Sequence, residues 1–147
     1  MTKIPFKVGD IVTTAKTVSE SDVYLFAGIT GDFHPNHTNE EYMSKSVYGH
    51  RIAHGMLTMS LASAASAKAV MMSGIRAVNY GFDKARFLKG VYFGDTLTTH
   101  YKIEEIDEDK MTSTADIKVF NQRNELCFVA RNILKFFDEP TDSELKS

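Results

Sequence analysis

The feature that most constrains the fold of this chain is a long run of small and apolar residues bounded by glycines. The run reads GMLTMSLASAASAKAVMMSG, from Gly55 to Gly74, and contains no strong helix breaker between its ends. A helix of about 18 residues here would be about 27 Å long, at a rise of about 1.5 Å per residue. Because the run has no wide polar face, we expect this helix to be buried on nearly all sides.

Downstream of Gly74, apolar residues recur with a period of two, which is typical of half-buried strands. The segment LTTHYKIEEI alternates Leu97, Thr99, Tyr101 and Ile103 with polar residues, and TSTADIKVF repeats the pattern. The segments DEDK and NQRNE predict the turns between these strands. The last segment, LCFVARNILKFF, is apolar on both faces, so we expect a central strand or one at an interface.

Upstream of the long helix, the sequence predicts one strand and one short helix. DIVTTAKTV favours the strand. SESDVYLFAGIT favours a helix that is capped by Ser19, with Asp22 as its capping-box partner, and broken by Gly28 and Gly31. Helices and strands are therefore segregated along the chain, which indicates an α+β fold. The simplest assembly is one domain, residues 1–147, with a curved antiparallel sheet around the long helix and a frayed tail from about residue 139.

Composition argues against several classes of protein. The 147 residues fit one domain, and 43% of them are hydrophobic, which is too many for a disordered chain. The net charge is −2 and no basic run stands out, which argues against a nucleic-acid partner. We expect no membrane partner, because no apolar run is long enough to cross a bilayer. One cysteine and no signal-like start lead us to expect a cytoplasmic protein.

A histidine-rich segment between the two predicted helices is the candidate functional site. Residues 28–56 hold four of the five histidines. A metal site is one interpretation, because His34 and His37 are three residues apart and His50 and His54 are four apart. However, HRIAH lacks the glutamate of the zinc-protease pattern, so we expect no metal. A second interpretation is a loop whose Asp and His side chains only satisfy local backbone groups.

The third interpretation is acid–base chemistry. The reference pKa values of Asp and His are about 3.9 and 6.5, so Asp32 and His37 on one loop stiffened by Pro35 could hold a water and move its proton. Gly55 begins the long helix, where free N–H groups and the positive end of the helix dipole meet. A glycine there would let a carbonyl oxygen approach the backbone N–H as in an oxyanion site.

Three motifs together resemble one known family. GDFHPNH, GHRIAHGMLTMSLAS and YGFDKARFLKGVYFGDTLT resemble the MaoC-like (R)-specific enoyl-CoA hydratases, in the same order and spacing over roughly Val8 to Phe137. The resemblance implies a hot-dog fold and the reversible addition of water to a trans-2-enoyl-CoA, giving an (R)-3-hydroxyacyl-CoA. It also implies a hydro-lyase that uses no cofactor, and a homodimer or a higher assembly with one continuous sheet.

The resemblance also implies roles for individual residues. Asp32 and His37 match the catalytic pair that holds and activates the water. Gly55 matches the glycine whose N–H polarises the thioester carbonyl, and Ser63 falls where the family has a serine near that carbonyl. Asn36 lies where it could set the conformation of the loop.

Other residues carry open alternatives. His50 stands where the family pattern has glycine, and is either at the rim of the acyl tunnel or a solvated loop residue. Lys84, Arg86 and Lys89 either contact the CoA phosphates or form a solvated strand end. The flexible side chains of four methionines are expected in the core or the tunnel wall: Met56, Met59, Met71 and Met72.

Two other functions remain as alternatives to the hydratase. One is an acyl-CoA thioesterase on the same fold, and the other is a non-catalytic module that binds acyl thioesters. The sequence leaves open the length of the acyl chain, the pathway, and whether the carrier is CoA or acyl carrier protein.

Overall fold

A computed structural model describes residues 3–138, so the predicted frayed tail lies outside the described residues. A five-stranded sheet and one long helix dominate the architecture. The elements in chain order are β1 (Ile11–Thr17), α1 (Glu20–Thr30), α2 (Pro35–Thr38), α3 (Glu40–Met43), α4 (Gly55–Ser73), β2 (Arg76–Phe87), β3 (Thr96–Asp107), β4 (Thr112–Phe120) and β5 (Leu126–Phe137). Within residues 3–138, no helix is both long and apolar enough to span a membrane.

The sheet is antiparallel throughout, in the order β1-β3-β4-β5-β2. The predicted alternation is confirmed, because Leu97, Thr99, Tyr101 and Ile103 of β3 are all buried. The strand β5 lies between β4 and β2, which confirms the predicted central strand, and most of its residues alternate between buried and partly buried. The two strands at the edges of the sheet are β1 and β2.

The helix α4 packs against one face of this sheet and contacts β1, β2, β3 and β5. Its Ala62, Ala65 and Ala69 are fully buried in the core. Alanine side chains keep the helix axis close to the strands, and larger side chains from the sheet fill the remaining space. An antiparallel sheet around a central helix is the expected hot-dog architecture.

The prediction that α4 is buried on nearly all sides is wrong. Met56, Met71 and Met72 are 55%, 83% and 71% exposed, so they do not belong to the core. Only Met59 of the four methionines packs against it. The sheet covers one side of α4 and leaves the opposite side of this helix exposed.

The helix α1 has the predicted capping box. Ser19 Oγ accepts a hydrogen bond from the Asp22 N–H at 3.0 Å, and Asp22 Oδ2 accepts one from the Ser19 N–H at 2.9 Å. The prediction that Gly28 breaks the helix is wrong, since α1 continues to Thr30. One glycine costs a helix only about 1 kcal/mol relative to alanine, which capping and packing can offset. The helix ends at Gly31, whose φ of 78° only glycine adopts readily.

The two glycines predict opposite responses to the same substitution. Gly31→Ala should destabilise the protein by about 1–2 kcal/mol, because alanine is strained at positive φ. Gly28→Ala, inside the same helix with no heavy atom within 4 Å of its new Cβ, should stabilise it by about 0.5–1 kcal/mol. Urea unfolding of both variants measures the two effects. Equal effects of the same sign would contradict this account of the end of the helix.

Candidate active site

Asp32 and His37 come together because two short elements follow each other closely. Gly31 turns the chain at the end of α1, and Asp32 is the next residue. The single turn α2 begins with Pro35 at its first position, where the missing N–H costs nothing, and carries His37. His34 caps this turn, with Nδ1 accepting from the Asn36 N–H at 3.1 Å.

The imidazole of His37 is held in one orientation. It is 8% exposed, and its Nδ1 lies 2.7 Å from the carbonyl oxygen of Ile52. A carbonyl only accepts hydrogen bonds, so Nδ1 carries the proton and Nε2 presents a lone pair. The Nε2 atom lies 3.8 Å from Asp32 Oδ2. This distance is too long for a direct hydrogen bond but lets one water bond to both groups.

The two groups of this pair differ in environment. Burial lowers the pKa of His37 below its usual 6.5, and the nearby His54 and His34 rings lower it further. The carbonyl of Ile52 and the Asp32 carboxylate oppose this shift. The Asp32 side chain is 51% exposed. His37 is therefore poised as a neutral base beside an accessible carboxylate.

His54 contributes more to the site than the sequence predicted. It is 2% exposed, its Nε2 lies 2.9 Å from the backbone oxygen of Asp32, and its ring stacks on that of His37 with centroids 3.7 Å apart. The sequence indicates His54 only as a metal ligand or as a residue that satisfies local backbone groups, and it does not predict this stacking. The only signal was its position beside Gly55, at the start of α4.

The segment that leads into α4, Arg51–Gly55, is anchored on several sides. Arg51 pairs with Glu20 at 2.9 Å and with Glu40 at 3.0 Å, and it also contacts the hydroxyl of Tyr24. Ile52 N–H donates to the backbone carbonyl of Asn36 at 3.0 Å. A role for the Asn36 side chain in setting the loop stays a prediction.

His50 immediately precedes this segment, and its side chain contacts Glu40. Its Nδ1 is 2.6 Å from Glu40 Oε1, and its side chain is 76% exposed. The hydrogen bonds from His50 and then from Arg51 lower the pKa of Glu40 to about 2. His50 is thus a solvated loop residue with a carboxylate partner. Its alternative place at the tunnel rim stays a prediction.

Gly55 opens α4 beside a cavity of about 530 Å³. Its N–H has no acceptor within the helix, because it belongs to the first turn. A Cβ at Gly55 would lie 3.1 Å from the ring of Phe87, so a larger residue here would require that ring to shift by a few tenths of an ångström. Side chains of mixed character line the cavity, among them Tyr48, Thr58, Phe87, Lys89, Tyr92 and Cys127.

The remaining predicted residues divide into two groups. Lys89 lines the cavity beside Gly55 and pairs with Glu125. Lys84 does not line this cavity. It lies at a β-bulge with a φ of 52°, and it lines a separate depression together with Asp116 and Arg131.

Arg86 and Ser63 make local contacts. Arg86 Nη1 donates to the carbonyl of Ala85 at 2.7 Å. Ser63 lies two turns beyond Gly55, and its Oγ donates to the carbonyl of Ser60 at 2.6 Å. A role for Ser63 at a thioester carbonyl stays a prediction.

The donor set of the site is poorly arranged for a metal ion. Within residues 3–138, Asp32, His37 and His54 form the one group of three potential ligands, with their atoms within 4.8 Å of one another. However, the His37 and His54 rings are stacked with an interplanar angle of 24°. Nitrogens on stacked rings point side by side, whereas ligands of one ion must converge on it.

Comparison with known proteins assigns the family. Residues 7–123 match the MaoC-like domain. The chain belongs to the MaoC-like domain family. Over 104 residues this MaoC-like chain is 38% identical to an (R)-specific enoyl-CoA hydratase of Rhodospirillum rubrum, covering 71% of the chain and 70% of that protein.

Two solved structures share the fold of this MaoC-like chain. An R-hydratase of Pseudomonas aeruginosa in its unliganded form has a TM-score of 0.79 and is 28% identical, covering 92% of this chain and 87% of that one. The (R)-hydratase of Aeromonas caviae involved in PHA biosynthesis has a TM-score of 0.81 and is 25% identical, covering 88% and 96%.

The electrostatics of the pair predict how His37 titrates. Its imidazole should have a pKa below 6.5 in the folded protein and about 6.5 in urea. As pH falls below 6.5, the unfolded chain takes up this proton first, so His37 lowers the stability of the fold there. Ring-proton NMR as a function of pH, with the His37 signals assigned by comparison with His37→Gln, measures the pKa. A folded-state value at or above 6.5 would contradict the prediction.

Proposed function

We propose that this MaoC-like protein is an (R)-specific enoyl-CoA hydratase, a hydro-lyase that adds water reversibly to trans-2-enoyl-CoA and gives (R)-3-hydroxyacyl-CoA. The observation that carries the proposal is the 3.8 Å separation of His37 Nε2 and Asp32 Oδ2, with His37 Nδ1 fixed on the Ile52 carbonyl. The similarity to (R)-hydratases supports it.

The first step is attack by water on the β-carbon of the enoyl thioester. Asp32 accepts one hydrogen bond from the water and orients it. His37 Nε2, which carries a lone pair, removes the other proton as the oxygen bonds to the β-carbon. The π electrons move through the α-carbon to the thioester oxygen, which becomes enolate-like.

Charge on that oxygen is stabilised at the N-terminus of α4. The Gly55 N–H has no helical acceptor, and the helix dipole places positive charge at the same end. Donors held before the reaction need no reorganisation when the charge develops.

The second step returns a proton to the α-carbon. The imidazolium of His37 donates the proton that it took from water, the enolate collapses to the thioester, and the elements of water have been added. Because one pair of side chains delivers both parts of the water, both additions occur on one face of the double bond. We propose that no cofactor or metal takes part.

Substrate contacts beyond the reacting atoms are also proposed. Lys89 is our choice among the three basic residues for a contact with the bound substrate, because it lines the same cavity as Gly55. Lys84 and Arg86 do not line that cavity, so we assign them no contact with the thioester end of CoA.

Hydration of crotonyl-CoA tests the function, followed by the loss of the enoyl-thioester absorbance. Asp32→Asn and His37→Gln should each lower kcat by about 10²–10⁴-fold, because each removes one half of the water-activating pair. His100→Gln is the matched control, since His100 is exposed on β3. Its activity should equal that of the wild type, and the product should have R configuration.

Four results would contradict the proposal or a part of it. Near-normal turnover by either variant would remove that residue from the proposed role. Release of free thiol without loss of the double bond, measured with a thiol-trapping reagent, would indicate a thioesterase. Binding of crotonyl-CoA and longer enoyl-CoAs without any turnover would indicate a binding module. Loss of activity after treatment with a chelator would contradict the proposal that no metal takes part.

We further propose that the protein is a homodimer joined through the β2 edge of the sheet. The strand β2 is at an edge, and unpaired edge strands favour association. Val78 and Tyr80 of β2 are exposed, as are Met71 and Met72 of α4. Apolar groups on the strand and the helix are those that a second copy would cover.

Light scattering at micromolar concentration tests the dimer. The wild type should have twice the mass of the 16.5 kDa chain, and Tyr80→Glu should shift it toward the monomer, because a charge would be buried at the joint. Ile11→Glu is the matched control, an exposed apolar residue on β1 at the opposite edge. A monomeric wild type, or dissociation by Ile11→Glu alone, would contradict the proposed interface.

We propose a cytoplasmic location for the enzyme. The only cysteine, Cys127, is free and buried, and burial raises the pKa of its thiol. A protein without disulfides suits a reducing compartment.

A further inference from the structure

Resting on the proposed function, we infer that His54 is a positioning residue, which fixes the distance between Asp32 and His37 and takes no proton itself. It touches each member of the pair through a different part of its ring. Its Nε2 lies 2.9 Å from the Asp32 backbone oxygen, and its face lies 3.7 Å from the His37 ring.

The hydrogen bond determines the tautomer of His54. Because the Asp32 carbonyl only accepts, Nε2 of His54 carries the proton. The other nitrogen, Nδ1, is buried and has no hydrogen-bond partner among the described residues. A proton relay needs a partner at both nitrogens, and none of the described residues supplies one at Nδ1, so we infer that His54 positions its neighbours rather than relays protons.

The stacking on His54 restricts the rotation of the His37 ring. The two planes are inclined by only 24°, so the His37 ring cannot rotate without moving His54. The hydrogen bond from His37 Nδ1 to Ile52 already fixes the ring in its own plane. Together these contacts leave Nε2 one direction in which to point, which is toward Asp32.

The hydrogen bond of His54 restricts the second member of the pair. The turn after α1 exposes Asp32, and among residues 3–138 its carboxylate accepts a hydrogen bond only from the His34 N–H, at 3.2 Å. The hydrogen bond from His54 to the Asp32 carbonyl therefore ties the turn after α1 to the start of α4. A displacement of about 1 Å at such a site can cost about 10²-fold in rate.

Three titratable groups face the His37 ring from the elements around it. They are Asp32 from the turn after α1, His34 from the start of α2 and His54 from the start of α4. A change at His54 therefore also alters the field at His37, and the pH dependence of the reaction reports it.

Two variants separate the contacts of His54. His54→Phe keeps a flat ring against His37 and removes the donor to Asp32. His54→Asn removes the ring and keeps a side-chain donor. Each should lower kcat about 10–100-fold with KM changed less than about threefold, because the reacting groups remain but are displaced. The acid limb of kcat/KM should keep its one-proton shape and move in pH.

Several outcomes would overturn the inference. A folded variant with wild-type kcat would show that positioning by that contact is unnecessary. A loss in His54→Phe as large as in Asp32→Asn, with a titration step missing from the pH profile, would show that His54 transfers protons. Lower melting temperatures with unchanged kcat and pH profile would show a purely structural role.

NMR of the imidazole nitrogens tests the inference without any activity. At pH 7.5 the spectrum of the wild type should show His54 with its proton on Nε2, and His54→Asn should shift the ring resonances of His37. A proton on Nδ1 of His54, or unchanged His37 resonances, would overturn the positioning role even if hydration is confirmed. If hydration is absent but these spectra are as expected, the proposed function fails and the geometry of His54 stands.

Discussion

The backbone of Ile52 is the constraint on which the site depends. Its N–H donates to the Asn36 carbonyl at 3.0 Å, and its carbonyl accepts from His37 Nδ1 at 2.7 Å. A one-turn helix has too few internal hydrogen bonds to hold a side chain by itself. Ile52 therefore supplies the hydrogen bonds that α2 lacks and that hold the His37 ring. Because Gly55 follows three residues later, His37 and the N-terminus of α4 are positioned by the same anchored segment. The next residue in that segment, Ala53, donates to the Val91 carbonyl at 2.7 Å, which ties it to the loop between β2 and β3.

The site assigns different tasks to two groups by giving them different surroundings. His37 is buried, and its lowered pKa keeps the lone pair on Nε2 available near neutral pH. Asp32 stays half exposed, so water reaches its carboxylate without a large desolvation cost. If both groups were buried, the charged carboxylate would carry a large desolvation cost. If both were exposed, the water between them would compete with bulk solvent.

Local patterns predicted the parts of the fold that depend on nearby residues. The capping box of Ser19, the alternation of β3 and the glycine limits of α4 are all set within a few positions along the chain. The exposure of one side of α4 depends on how much of the helix the sheet covers, and the continuation of α1 through Gly28 depends on how the helix packs. Neither can be seen in a short stretch of sequence. The same applies to the candidate site. Asp32 and His37 are close in sequence and were found from the motif, whereas the stacking of His54 on His37 joins residues that are 17 positions apart.

The exposed surface around Gly55 connects the chemistry to the proposed assembly. Met56 and Phe87, which flank Gly55 in sequence and in space, are 55% and 51% exposed in this chain. A hydrogen bond to an enolate oxygen is weak in water and strong where water is excluded, because the local dielectric constant sets its strength. Apolar groups at this position exclude water only when something covers them. Phe87, at the end of β2, is the residue of that strand that lies next to Gly55. A second copy would strengthen the oxyanion contact only if it covers β2 from Val78 and Tyr80 as far as Phe87, since Met71 and Met72 lie at the opposite end of α4.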